Sequence, residues 1–416
     1  MEITTTSNVF LNDWINQISS TKVDFIPDSV LVESLKYIEE NGIPNLKNEA
    51  YRNVPIESIL KRYFRTIEYN LSSEVNTPTS TFPLHIILSP NYTLTYGYHE
   101  GIFVVSSLND VPKRYLEFIG QTQMHQKDFF AALNTAYNHR FTVVHIQKSI
   151  DEPLHILHDL EPYLNFSQHR LLILIDDNVS VKFIETLYSG NIQHPYLYNT
   201  LTEIYVGENT SVEWYSVQKN VSNSVYSIQN TAFALQKSAS LKHYQISLEG
   251  ALWRNNLNFH IQDKEVNCEL KGLSIGKGQN IISQNTAICH HSGYSHSHQL
   301  YKNIAEDKST VLFNGFILVD KNAQKTDAYQ NSKNILLNDN ATIFARPQLE
   351  IYADDVKCSH GSSTGALNED ALFYLKARGI EESEAQKLLL QAFYSDIIES
   401  IEEKNIKDYI ESLIQI

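Results

Sequence analysis

The chain has 416 residues and a formal net charge of −15, and its 42% hydrophobic and 19% charged content is that of a folded protein with a sizeable core. The acidic balance argues against nucleic acid as the main partner, because phosphate binding needs clustered Lys and Arg. No apolar run approaches the roughly 20 residues that span a bilayer. Residues Met1 to Ser7 lack the regions of a secretory signal, and three cysteines are too few for a disulfide framework. These features point to a cytoplasmic protein that meets other proteins and not membranes.

Residues 1–70 read as helices. Ser7 is placed to cap a run with Phe10, Leu11, Trp14, Ile15 and Ile18 on one face, and Asp28 or Ser29 a second with Leu31, Leu35 and Ile38. A third starts near Pro55 and carries Ile56, Ile59, Leu60 and Phe64. The stretch from Gly42 to Arg52 reads as a polar surface connector, and Leu71 to Ser80 as a linker. Within a mixed lead-in over 71–140, the pattern turns strand-like from Phe82 to Val105, and Lys127 to Asn138 forms a short helix.

From 141 to 362 helical periodicity is almost absent. Short apolar strands recur, such as Leu171–Ile175, Leu201–Val206 and Val311–Val319, separated by clusters such as Asp176-Asp177-Asn178 and Asn338-Asp339-Asn340. Many are continuously apolar, as in parallel strands buried on both faces, which favours a β-solenoid over a large sandwich or barrel. From 363 to 416 the chain is helical again. Asn368 caps a run with Leu372, Phe373 and Leu375 that ends at Gly379, Ser383 caps a longer run through Phe393, Ile397 and Ile401, and a last helix carries Ile406, Tyr409, Ile410 and Leu413. These wide apolar faces either pack on the solenoid or are offered to a partner.

Cys358 and His360 have Cys-x-His spacing. In an extended segment they share one face, with Lys357 and Ser359 on the other. Thiolate and imidazole suit zinc or iron, but two ligands do not complete a site. A second cluster comprises Cys289, His290, His291, His296 and His298; His296 and His298 would share a strand face as a zinc site, or all would serve hydrogen bonding between rungs. Cys268 reads as a core residue. No phosphate-binding loop or nucleophile elbow is present. A β-solenoid enzyme acting on polysaccharide is a further alternative, which the absence of a signal peptide and of a carboxylate–arginine constellation disfavours.

Longer motifs are more specific. They are Ala323-Gln324-Lys325-Thr326-Asp327-Ala328, the run from Pro347 to Gly361, Leu372-Phe373-Tyr374-Leu375, Arg378-Gly379-Ile380, Phe313 to Val319, and Gly42-Ile43-Pro44 through Tyr51-Arg52. They resemble the SufB/SufD family of scaffold subunits of the SUF iron–sulfur cluster assembly system. Lys333 stands where the SufB branch carries an acceptor cysteine, and Cys358-Ser359-His360 where it has Glu-His-Glu, so the resemblance is to the SufD branch. It implies a right-handed parallel β-helix flanked by helices, and a non-enzymatic subunit. It also implies pairing with SufB near the C-terminal end of the β-helix, a transient nascent cluster at that interface with Cys358 and His360 contributing, and docking of the SufC ATPase on the C-terminal helices. Dock candidates are Leu372, Phe373, Tyr374, Arg378, Phe393 and Ile397. A homodimer is an option for the chain alone. The sequence decides neither flavin binding nor a role for His290, His291, His296 and His298.

Overall fold

The computed structural model describes residues 2–18, 26–68, 78–106, 110–138, 140–161, 163–190, 192–219 and 221–414. Three helices open the chain: α1 (Glu2–Ile18), α2 (Asp28–Asn41) and α3 (Ile56–Tyr63). Strands β1 (Leu84–Leu88), β2 (Thr93–Tyr96) and β3 (Ile102–Val105) follow, then helices α4 (Lys113–Leu116) and α5 (Phe129–Tyr137). Sixteen further strands come next: β4 (Phe141–Ile146), β5 (Leu154–Asp159), β6 (Phe166–Ile175), β7 (Ser180–Tyr188), β8 (Tyr196–Val206), β9 (Ser211–Lys219), β10 (Val225–Leu235), β11 (Ser240–Ser247), β12 (Leu252–Ile261), β13 (Asn267–Gly276), β14 (Ile281–His290), β15 (His296–Ala305), β16 (Thr310–Val319), β17 (Asp327–Leu336), β18 (Thr342–Ile351) and β19 (Lys357–Gly365). Helices α6 (Glu369–Ala377), α7 (Glu382–Glu399) and α8 (Lys404–Leu413) close the chain.

From β4 onward the chain alternates between two sheets, one of even strands from β4 to β18 and one of odd strands from β5 to β19, every neighbouring pair parallel. This is a β-solenoid of about eight turns, as the unbroken apolar strands suggested. Strands β1 and β3 extend the two sheets at the opposite end, with β2 hairpinned onto β1. The strands are longer than their apolar cores: Leu201–Val206 is only the second half of β8. Its first half holds residues such as Asn199, whose amide donates to the Phe130 carbonyl at 2.9 Å.

Register is what fills the interior. Val144, Ile173, Ile204, Phe233, Phe259, Ile288 and Ile317 are successive register partners and all are buried. Phe233 and Phe259 stack with centroids 5.2 Å apart. One corner stacks over most turns as well. Asn178, Asn209, Ser238, Tyr294 and Lys325 take positive φ, and each donates its N–H to a carbonyl of the next turn, at 2.7–3.0 Å. Gly293 is required there, since a Cβ would lie 2.1 Å from the Gln324 carbonyl oxygen.

Helices cover both outer faces. Trp14, Leu60, Phe64 and Phe130 pack on Phe166, Leu197, Ile228 and Leu252 of the even sheet. Leu390, Tyr394, Ile397, Ile398 and Ile406 pack on Tyr215, Tyr244, Leu273 and Ile304 of the odd sheet. Several caps differ from expectation. Ser7 lies inside α1, which begins at Glu2; α2 begins at Asp28 with Pro27 before it; and Ser383 sits in the first turn of α7 behind Glu381. Asn368 does cap α6, and Gly379 follows its end with φ +86°. Residues 71–77 of the expected linker lie outside the described residues. The connector from Gly42 to Arg52 is not merely a surface loop. Tyr51 is buried, its hydroxyl donates to Asp128 at 2.6 Å, and Arg254 lies 3.9 Å over its ring. Asp128 in turn caps α5 by accepting from the N–H groups of Phe130 and Ala131.

One buried ion pair pins the segment before α5 to the even sheet. Arg170 donates to Glu203, both about 1% exposed, and Glu203 also accepts from Thr122 Oγ1 at 2.7 Å and the Gly120 N–H at 3.1 Å. Glu203→Gln leaves the guanidinium buried without its counter-charge and is expected to cost roughly 3–5 kcal/mol in denaturant unfolding; a cost below about 1 kcal/mol would mean that water reaches the pair.

Stability also depends on pH. Burial holds His169 and His243 neutral inside the solenoid, their pKa values pushed down to about 3 and about 4. The unfolded chain protonates both below about 6.5, so acid favours unfolding. Asp159 opposes this, because burial raises its carboxyl to about 7 and the folded state takes up that proton first. Burial also pushes His260 and His290 down to about 4, so the four histidine protons outnumber that of Asp159 and leave a net loss of stability as pH falls from about 6.5 toward 4. Denaturant unfolding at pH 7 and pH 5 measures the loss. His243→Gln should reduce it, and an unchanged loss would assign the proton uptake to other groups.

Candidate functional site

The solenoid ends on β18 and β19, the outermost strands of their sheets, each with one edge unpaired among the described residues. Strand β19 pairs β17 in register, which places Cys358 beside Ala328 and His360 beside Gln330. Both positions continue columns that run through the interior. Val181, Val212, Leu241, Cys268, Ser297 and Ala328 lead to Cys358, and every one of the six is buried. Phe183, Trp214, His243, Leu270, Gln299 and Gln330, equally buried, lead to His360. The thiol and imidazole thus share the inward face of the last strand, as the i, i+2 spacing required. Cys358 is half-buried against the interior and His360 exposed, because no further turn lies above them.

The last turns are more polar than the first. The His360 column passes from Phe183 and Trp214 to Gln299 and Gln330, and neither polar atom of the buried Gln330 amide has a partner among the described residues. Burial pushes the Cys358 thiol up, Asp327 adding to this and a hydrogen bond with the Ala328 backbone working against it. The free thiol is therefore protonated at neutral pH, and binding metal requires displacing that proton. The edges around the pair are partly apolar, with Tyr329, Ile351 and Tyr352 exposed. Pro347 sits in β18, where an edge strand tolerates the missing N–H.

The residues expected to dock a partner divide into two groups. Helix α6 has no buried residue; Phe373 is 73% exposed, Tyr374 58%, Arg378 exposed and Leu372 half-buried. Ile397 is fully buried on the odd sheet, and Phe393 is half-buried beneath Lys302, whose Nζ lies 5.0 Å from its ring centroid. Ile397 is a packing residue, since its face of α7 is spent on the sheet.

The histidine cluster does not converge. His290 points inward, its Nε2 2.8 Å from the Ser297 hydroxyl. His296 and His298 are exposed on β15, and among the described residues neither belongs to a group of metal-ligating side chains. Cys289 and His291 face outward from the even sheet and meet His260, a residue the sequence did not single out. Cys268 is buried, as expected, and burial pushes its thiol well up.

A family described as "SUF system FeS cluster assembly, SufBD core domain" matches residues 157–393, more than half of the chain. The chain belongs to the SufBD family. A Synechocystis protein named as an iron–sulfur cluster assembly SufBD family member is 32% identical over 285 residues, 66% of this chain and 63% of its own length. The iron–sulfur cluster assembly protein SufD of Escherichia coli is 25% identical over 91% of this chain and 90% of its own, and that of Bacillus subtilis 27% over 59% and 56%. The chain therefore spans less than two thirds of the Synechocystis relative but nearly all of the Escherichia coli one. Among the described residues of this SufBD chain, no helix is long and apolar enough to cross a membrane.

The differing burial of the three thiols is open to test. In the native chain, iodoacetamide at pH 8 should modify Cys358 at least about tenfold faster than Cys268 and Cys289, read by peptide mass spectrometry, because reactivity follows accessible thiolate. Equal rates would mean that the last turn is covered or that the interior opens.

Proposed function

We propose that the chain is a non-catalytic, cytoplasmic scaffold subunit of the SUF iron–sulfur cluster assembly system, of the SufD kind. The observation that carries this reading is the truncated pair of interior columns. Cys358 and His360 stand at the end of the solenoid as two donors of the right chemistry, and among the described residues neither belongs to a group of three metal-ligating side chains. Iron–sulfur clusters are held mainly by thiolates, with histidine as a known substitute. A nascent cluster, here a transient cargo, thus draws its remaining ligands from a second subunit. SufB, as a paralogous solenoid, fits the two bare strand edges of β18 and β19 by strand-to-strand or end-to-end packing. When SufB is absent, a second copy of this chain can cover the same edges.

The ATPase SufC docks on α6 in this reading. Its exposed Phe373 and Tyr374, flanked by Leu372 and Arg378, make an aromatic anchor of the kind that dominates protein interfaces. Phe393 and Ile397 hold the platform from behind. The described parts of 1–70 brace the even sheet, those of 71–140 lead into both sheets, 141–362 form the rigid scaffold, and 363–416 carry the dock. Nucleotide-driven movement of the ATPase then opens or closes the ligand-sharing interface.

Co-purification with SufB and SufC, followed by cluster reconstitution read in the visible spectrum, tests the proposal. Cys358→Ser should leave the complex intact and reduce cluster yield at least about tenfold, since even an outer-shell change at a metal site costs that much. Phe373→Asp should release SufC while SufB stays. Normal cluster yield would remove Cys358 from the site, and failure of both partners to associate with the unaltered chain would sink the reading.

A further inference from the structure

We propose that His260, Cys289 and His291 form a second, separate site that binds one zinc- or iron-type divalent cation on the outer face of the even sheet. It does not rest on the cluster reading of Cys358 and His360, which lie on the other sheet. His260 of β12 and Cys289 of β14 are register partners on adjacent turns, and His291 follows directly after β14. The backbone holds it there, with the His291 N–H donating to the Ile261 carbonyl at 3.0 Å. The three donor atoms lie within 4.8 Å of one another.

Nδ1 of His260 and Nε2 of His291 are 3.3 Å apart, a long hydrogen bond in the metal-free chain, with the ring planes within 6° of each other. The same spacing suits a shared cation. Two imidazole nitrogens bound tetrahedrally at about 2.0–2.1 Å from one zinc lie about 3.4 Å apart. The outer contact of His291 matches as well, whereas the buried Nε2 of His260 has no partner among the described residues. Nδ1 of His291 is 2.7 Å from Oδ2 of Asp320, which fixes that proton on Nδ1 and leaves the Nε2 lone pair for the cation. This carboxylate–histidine pairing recurs at metal centres and raises ligand basicity.

Cation binding displaces the Cys289 thiol proton, and the thiolate together with the Asp320 carboxylate offsets the two positive charges. Lys127 lies close enough to act on both His260 and Cys289, and its positive charge works against the cation. His260 and Cys289 are 7% and 8% exposed, whereas the His291 side chain is 32% exposed. The fourth position opens into a cavity of about 1340 Å³ under residues 114–127, lined also by His145, Asp176 and Gln262. Three protein ligands with an open fourth position describe an exchangeable site, in contrast to the closed four-ligand sites that are purely structural.

The test uses the purified full chain, stripped with a chelator and titrated anaerobically with Co²⁺. One equivalent should bind and give a thiolate-to-cobalt charge-transfer band; displacement by Zn²⁺ and by Fe²⁺ in separate arms ranks the two cations. Cys289→Ser should abolish the band, His291→Gln and Asp320→Asn should weaken binding about 10–100-fold, and Cys358→Ser should leave it unchanged. Should Cys289→Ser fail to fold, the partly exposed His291→Gln decides. Absence of the band in the unaltered chain, its persistence in Cys289→Ser, full affinity in His291→Gln, or its loss in Cys358→Ser would each overturn the assignment.

Discussion

Parallel, in-register stacking of one turn on the next is the constraint from which the rest of this structure follows. Because strand neighbours pair residue for residue, each side chain sits over one of matching orientation in the turn before, and the interior becomes a set of columns. A column of Val, Ile and Phe excludes water along the solenoid, and a column of left-handed corner residues closes the backbone hydrogen bonds at its edge. The stacking also has an end. Where the last turn has no successor, interior positions become accessible and two strand edges are left bare, which soluble proteins otherwise avoid.

That end is where the proposed cluster ligands lie. Cys358 and His360 occupy positions that are structurally interior and accessible only because the solenoid stops. A partner that adds the next turn would bury them and supply what they lack. The same stacking builds the proposed cation site by another route: matching positions on successive turns bring His260 and Cys289 side by side although 29 residues separate them in register. In the two proposals, one face of the solenoid ends in an incomplete ligand set, and the other gathers ligands along its length.

The flanking helices have unequal roles. Those at the N-terminus and α5 are tied to the even sheet by buried polar contacts, Arg170–Glu203 and Tyr51–Asp128–Arg254, whose loss would strand charges or hydrogen-bonding groups in the interior. Helices α7 and α8 spend their apolar faces on the odd sheet. Among the described residues, α6 has no buried side chain and stands off with Phe373 and Tyr374 in solvent, and this difference separates packing residues from those available to a partner.

Much of this was legible in the amino-acid sequence, for identifiable reasons. Continuous apolar strands indicated stacking in place of alternating burial, the i, i+2 spacing put Cys358 and His360 on one face, and the long motifs from Ala323 to Ile380 identified the family. The repeat itself was hidden because turn length varies. Leu252 to Ile281 and Ile281 to Thr310 are steps of 29, but Tyr226 to Leu252 is one of 26 and Thr310 to Thr342 one of 32. Local pattern determined the strands, the Asn368 cap and the facing of the thiol–imidazole pair. Only the tertiary structure decided that Ile397 is buried while Phe373 is not, and that Tyr51 is a buried anchor. It also decided that Cys289 and His291 face His260 while His290 turns inward. Those outcomes depend on which residues are neighbours one turn away, and contacts across a whole turn leave no trace in local spacing.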